Sequence, residues 1–271
     1  MRMTSRIVYF LFALILATTP SFAERIPSHC LAFAEREPQI PIQYASSHLA
    51  KDEVGLRYIA HSMYEITSHG GMRMVTDFNG AVNFTPDLVT MNHAHNTHWT
   101  RFPDPKITHV LHGWGEGGEP AFHELELDEV LVRNVTTDIA SEFTGIEPDG
   151  NSIFIFEIAG LCIGHLGHLH HEPTDAQYGQ IGRLDIVMAN VDGGMSLSTQ
   201  TMIRVMKRLR ASVVLPMHWW GRFTLDEFLN GLSSEFAVEE IAEDQLVMSL
   251  DLLPRKPTVY VMQPRFVEDF E

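Results

Sequence analysis

Leu88-Val-Thr-Met-Asn-His-Ala-His-Asn-Thr-His98 runs from a short apolar stretch straight into three histidines. The opening residues have the β-branched and apolar make-up of a buried strand. In an extended segment successive side chains alternate, so His93 and His95 project from one side. Two imidazoles so placed chelate a borderline metal such as zinc. A His-x-His pair alone arises by chance, but this one has company. His165, His168, His170 and His171 follow a second apolar run, and His218 follows a third, residues 212–217. The chain carries 15 histidines, and the informative point is that these groups each follow a strand. Strand ends and the loops after them are where α/β proteins build sites.

Working outward, strands dominate the first half. Residues 55–66 alternate, His69-Gly-Gly71 reads as a hairpin turn, and Met72–Asp77 is the return strand. Further strands are read over 129–135, 152–158 and 161–164, with a turn at Asp149-Gly150. The second half alternates. Leu184–Val191 is a buried strand, and a helix capped by Ser196 or Ser198 runs to Arg210. Ser212–Met217 is a strand, Thr224 caps a short helix to Leu232, and residues 247–252 and 258–262 read as a closing hairpin. Strands first, then β-α-β-α, point to two sheets with helices packed outside.

With 271 residues, 45% hydrophobic and 20% charged, the chain can bury one large core, and disorder, collagen and disulfide-scaffold classes are excluded. Arg2 and Arg6 precede an apolar run from Ile7 to Ala17, and Ser21-Phe22-Ala23 is a small-x-small site. This is the pattern of a secretory signal peptide over 1–23, with an uncleaved anchor as the alternative. The expectation is export, to the periplasm of a bacterium. Residues 24–52 read as an N-terminal extension and 53–271 as the folded domain. The net charge of −16 disfavours nucleic acid and anionic membranes as partners. A small-molecule substrate is expected. Cys30 and Cys162 lack zinc or redox spacing, and two idle thiols are expected rather than a bridge.

Met91-Asn-His-Ala-His-Asn-Thr-His98 resembles the His-x-His-x-Asp-His signature of the metallo-β-lactamase superfamily, in its lactonase-like branch of zinc-dependent hydrolases. Tyr58-Ile-Ala-His61-Ser, Val75-Thr-Asp77, Cys162 to His171 and Leu215-Pro-Met-His218 resemble that branch in the same order, over roughly residues 54–232. The resemblance implies an αββα sandwich of two mixed β-sheets with outer helices. It also shows departures: Thr97 stands for the signature Asp, His168 for the bridging Asp, and Thr136, Thr137 and Asp138 occupy the stretch where another His is usual. An imidazole bridges two metals poorly, so one well-held zinc is expected, with a second site weak or absent. The metal ligands expected are His93, His95, His168 and His218. His98, Asp138 and His171 are the candidates for acid-base work or a second position. Asp77 would orient a ligand imidazole, and His61 would line the pocket or sit in the core.

The chemistry implied is hydrolysis of an ester, lactone, amide or phosphoester, with the metal bringing the pKa of bound water to about 7. No Gly-x-Ser-x-Gly elbow, P-loop or dinucleotide fingerprint occurs. A non-catalytic exported metal-binding protein on the same fold is the alternative, and an iron redox enzyme a third reading.

Overall fold

The computed structural model describes residues 28–31, 49–115, 119–141 and 145–264. The signal peptide read over 1–23 and most of the extension read over 24–52 lie outside the described residues. Along the chain run β1 (Val54–Ala60), β2 (Met63–Thr67), β3 (Arg73–Val75), β4 (Leu88–Met91), β5 (His109–His112), β6 (Glu124–Leu127), β7 (Val130–Ser141), β8 (Gly145–Ile158) and β9 (Leu161–His165). Then come α1 (Asp175–Ile181), β10 (Ile186–Asn190), α2 (Thr199–Leu209), β11 (Val213–Met217), α3 (Arg222–Leu232), β12 (Ala237–Ile241), β13 (Gln245–Met248) and β14 (Thr258–Met262).

The strands form two mixed sheets, in the orders β13-β1-β2-β3-β4-β5 and β12-β14-β11-β10-β9-β8-β7-β6. Alternation along each central strand builds two layers of core. In β8, Phe154 and Phe156 face the other sheet, where they meet Leu56, Tyr64 and Leu88; Ile153 and Ile155 face outward, onto Val205 and Met206 of α2 and Phe228 of α3. β10 and β11 pair in parallel and are apolar on both faces, as strands covered on both sides must be. Among the described residues the outer face of the six-stranded sheet is covered by irregular segments: Val82, Phe84, Trp99 and Trp114 pack on Ile59, Val75 and Val89. The result is the expected α/β sandwich.

Three local expectations are corrected. The last two strands are not a hairpin: β13 joins β1 in one sheet, and β14 lies between β11 and β12 in the other. Asp149-Gly150 is not a chain reversal but part of β8, beside a register shift at Thr137/Ile139. α3 starts at Arg222, with Gly221 rather than Thr224 at its N-cap. The fourth correction concerns the cysteines. Cys30 and Cys162 form a disulfide with Cα atoms 5.8 Å apart. Sequence spacing could not show this, because the partners are 132 positions apart. Glu157 fixes the same corner, accepting from Ser28 Oγ, the backbone N–H groups of His29 and Cys30, and Arg133 Nε.

A candidate metal centre built from histidines

Five loops meet at one end of the two sheets. They are the β1–β2 turn, the segments after β4 and β9, and those after β10 and β11. The two sheets are tied there by backbone: the His218 N–H donates to the His61 carbonyl at 2.7 Å. Three residues of this region, His61, Asp77 and His218, hold left-handed backbone, with φ of 54°, 45° and 59°. Such conformations cost energy outside glycine and concentrate at functional sites.

His61, His95, His98 and His218 come together, with one ring nitrogen of each within 4.8 Å of the others. His98 and His218 are fully buried, and their Nε2 atoms are 3.2 Å apart. His61 and His95 are partly exposed and form the open side, where the exposed Trp220 ring lies 4.9 Å from His61. His168 packs edge-on against His95 and His98, at ring distances of 5.0 and 4.8 Å, and joins Asp192 and His218 in a second group of metal-capable atoms.

Four of these rings have a polar neighbour at the other nitrogen. His98 Nδ1 lies 2.5 Å from Asp77 Oδ2 and 3.1 Å from Ser62 Oγ. Asp77 Oδ1 in turn accepts from Asn92 Nδ2 at 2.7 Å. His95 Nδ1 meets Thr97 Oγ1 at 2.7 Å, and His168 Nδ1 meets His170 Nε2 at 2.7 Å. His218 Nδ1 lies 2.9 Å from Asp192 Oδ2. The Nε2 atoms of His61, His95 and His168 are buried without a partner. A buried unpaired nitrogen is costly, and a metal ion in the first group would satisfy those of His61 and His95. The donor set therefore fits a metal, with outer partners beside the rings of His95, His98, His168 and His218, as metal-binding imidazoles require.

Electrostatics agree. Burial, then the neighbouring imidazoles of His218, His98 and His95, push His61 down to about 3. Burial, then His98 and His218, push His95 down to about 4. His168 is lowered as well, by burial and then by His98 and His218. Their lone pairs are free of protons at neutral pH. Burial alone would raise Asp77, but the charge and hydrogen bond of His98 outweigh it and hold the carboxyl well below its usual range.

From Gly55 to His218 the chain matches the family model described as the β-lactamase superfamily domain, which is more than half its length. The chain belongs to the metallo-β-lactamase superfamily. Among solved structures it is similar to a candidate Zn-dependent hydrolase of that superfamily from Thermotoga maritima, with 25% identity and a TM-score of 0.56, covering 77% of this chain and 98% of that one. It is also similar in fold to Igni18, a metallo hydrolase from the archaeon Ignicoccus hospitalis, with 18% identity, a TM-score of 0.50 and coverage of 67% and 91%. The diiron β-hydroxylase CmlA from Streptomyces venezuelae shares the fold at 10% identity and a TM-score of 0.50, covering 74% and 55%. No curated protein sequence matches the chain.

Within this metallo-β-lactamase-fold site the residues singled out from sequence part company. His95, His98, His168, His218 and His61 meet. His93, expected among the ligands, does not join them. The chain turns rather than staying extended after β4, with His98 N–H donating to the His95 carbonyl, so alternation fails there. His93 instead pairs its Nδ1 with Glu147 Oε1 at 2.6 Å, beside the Trp114 and Trp99 rings. Asp138 and His171 are likewise outside these two histidine groups. The Asp138 N–H donates to His171 Nε2 at 3.1 Å, which occupies the lone pair a base would need. Sequence reasoning missed Asp192, Thr97 and His170 as partners of the ligand rings. Asp192 was marked only by its position, directly after a buried strand and before two glycines.

Proposed function

We propose that this protein is an exported hydrolase that uses one metal ion, zinc by the chemistry of its donors, on an ester, lactone, amide or phosphoester. The observation that carries the reading is the convergence of His61, His95, His98 and His218, with the Nε2 atoms of His61 and His95 buried and unpartnered. Neutral imidazole donors suit zinc among available metals. When bound, such an ion activates water and polarises a carbonyl or phosphoryl oxygen. The chain's own residues orient the ligands through Asp77, Thr97, His170 and Asp192, exclude water around the buried His98 and His218, and leave access on the His61 and His95 side. Export is supported by the leader sequence and by the Cys30–Cys162 bond, since disulfides persist in oxidising compartments. No helix among the described residues is long and apolar enough to cross a membrane.

The test is metal content and turnover of the protein purified without metal-binding tags. One tight zinc equivalent is expected, with hydrolysis of members of an ester and lactone panel. His95→Ala should lose both. Retained turnover in metal-free protein would refute the reading. Four histidines can also fill a zinc shell completely, which favours a second reading, a non-catalytic metal-binding protein. Tight zinc without turnover on any substrate of the panel would select it.

A further inference from the structure

Asp192 lies two residues beyond the strand β10 and opens a tight loop of two glycines. Its side chain is fully covered, and its two oxygens do different things. Oδ1 accepts the backbone N–H groups of Gly194 and Met195 at 2.9 Å each and of Ser196 at 3.1 Å. Oδ2 accepts from Ser196 Oγ at 2.6 Å, and from the Ser196 N–H at 3.2 Å. The same Oδ2 lies 2.9 Å from His218 Nδ1. One oxygen caps a turn, and the other faces a fully buried ring of the centre. His218 Nδ1 has no other hydrogen-bond partner, which leaves Asp192 Oδ2 as its nearest acceptor. Neither carboxylate of the expected ligand motifs is present, since Thr97 and His168 stand in their places.

We propose that Asp192 is the positioning residue of the metal centre: it holds His218 as the Nδ1–H tautomer, so that Nε2 faces His98, His95 and His61 as a bare ligand. The turn cap makes this possible. Three backbone donors on Oδ1 fix the carboxylate before His218 meets it, so little ordering remains when the ion binds. The inference rests on the metal-centre reading given above.

The two oxygens suggest a variant that separates their roles. In Asp192→Asn the amide oxygen can keep the Oδ1 bonds and with them the turn. The amide NH2 then takes the place of Oδ2 and donates to Nδ1. That flips His218 to the Nε2–H tautomer and blocks its lone pair. Outer partners of this kind are worth roughly 10–100-fold in metal affinity. Zinc affinity, measured on the full chain by competition with a chromophoric chelator, should fall by that factor in Asp192→Asn. In Ser196→Ala, which keeps the carboxylate, it should stay within about threefold. The unfolding midpoint of metal-free Asp192→Asn should stay near that of the wild type. Equal zinc affinity in Asp192→Asn and wild type would overturn the proposal and leave Asp192 a turn cap. A second readout does not depend on any variant folding: long-range ¹H–¹⁵N spectra of the metal-free wild type should show the His218 proton on Nδ1, and a proton on Nε2 overturns the proposal. If the wild type takes up no zinc, the metal-centre reading itself fails, and this role with it.

Discussion

A Cys30→Ala/Cys162→Ala double variant removes a cross-link between residues 132 positions apart. For a loop of that length the chain-entropy relation gives about 5 kcal/mol of stabilisation through the unfolded state. Two features of the structure modify that figure. The Glu157 contacts to Ser28, His29 and Cys30 still tether the segment in the variant. Both cysteines are buried, at 1% and 0% exposure, so truncation leaves a small void costing about 1 kcal/mol. The native contacts do not restore unfolded-state entropy, so they leave this loss intact; it would shrink only if the segment detached once the bond was gone. The expected loss is about 3–5 kcal/mol, or a fall in Tm on the order of 10 °C for a domain of this size. The assay is urea unfolding of both proteins with and without reductant, followed by thiol titration. Reductant should bring the wild type to within about 1 kcal/mol of the double variant, the difference being the void, and leave the double variant unmoved. If reduced wild type, with both thiols titrating free, unfolds within about 1 kcal/mol of the oxidised form, the argument is refuted.

Three further outcomes follow from the site. Gly167 has φ of 63°, and a Cβ there would sit 2.3 Å from Asn151 Oδ1 and 2.5 Å from Asn92 Nδ2; Gly167→Ala should cost about 2–4 kcal/mol in urea unfolding and weaken zinc binding through the adjoining His168. Folded-state values of about 3 for His61 and about 4 for His95 lie below the ordinary 6.5, so between pH 6.5 and 4 the unfolded chain binds more protons than the folded one. Stability of the metal-free protein therefore rises with pH through that window and is lost on acidification. Urea midpoints at pH 7.5 and 5 in the presence of EDTA test this, and a His61→Ala variant should show a shallower pH slope than wild type. Thr97→Val removes the hydroxyl 2.7 Å from His95 Nδ1 and should weaken zinc binding several-fold with less than about 1 kcal/mol of change in metal-free stability.

The parts of this fold that could be read from sequence are those set by near neighbours. The apolar run at Leu88 and the histidines after it lie in one segment, and β10, β11 and α2, with its Ser198 cap, announce themselves by pattern. The 174–177 capping box of α1 was equally local, but its seven residues bury only Ile181, and so little periodicity was missed. What depends on distant partners was misread: β13 and β14 go to different sheets, and Cys30 finds Cys162 across most of the domain. The site divides along the same line. His95 takes its ring partner from Thr97 and His168 from His170, each two positions away. His98 needs Asp77, 21 positions upstream, and His218 needs Asp192 from another strand. The first pair of rings is oriented by local chain. The second pair acquires its tautomers only when the strands carrying Asp77 and Asp192 are in place, and the two halves face each other only once His218 bonds to the His61 carbonyl. The centre is therefore completed by the closure of one sheet on the other, which ties metal binding to the integrity of the whole sandwich rather than to the histidine motif alone.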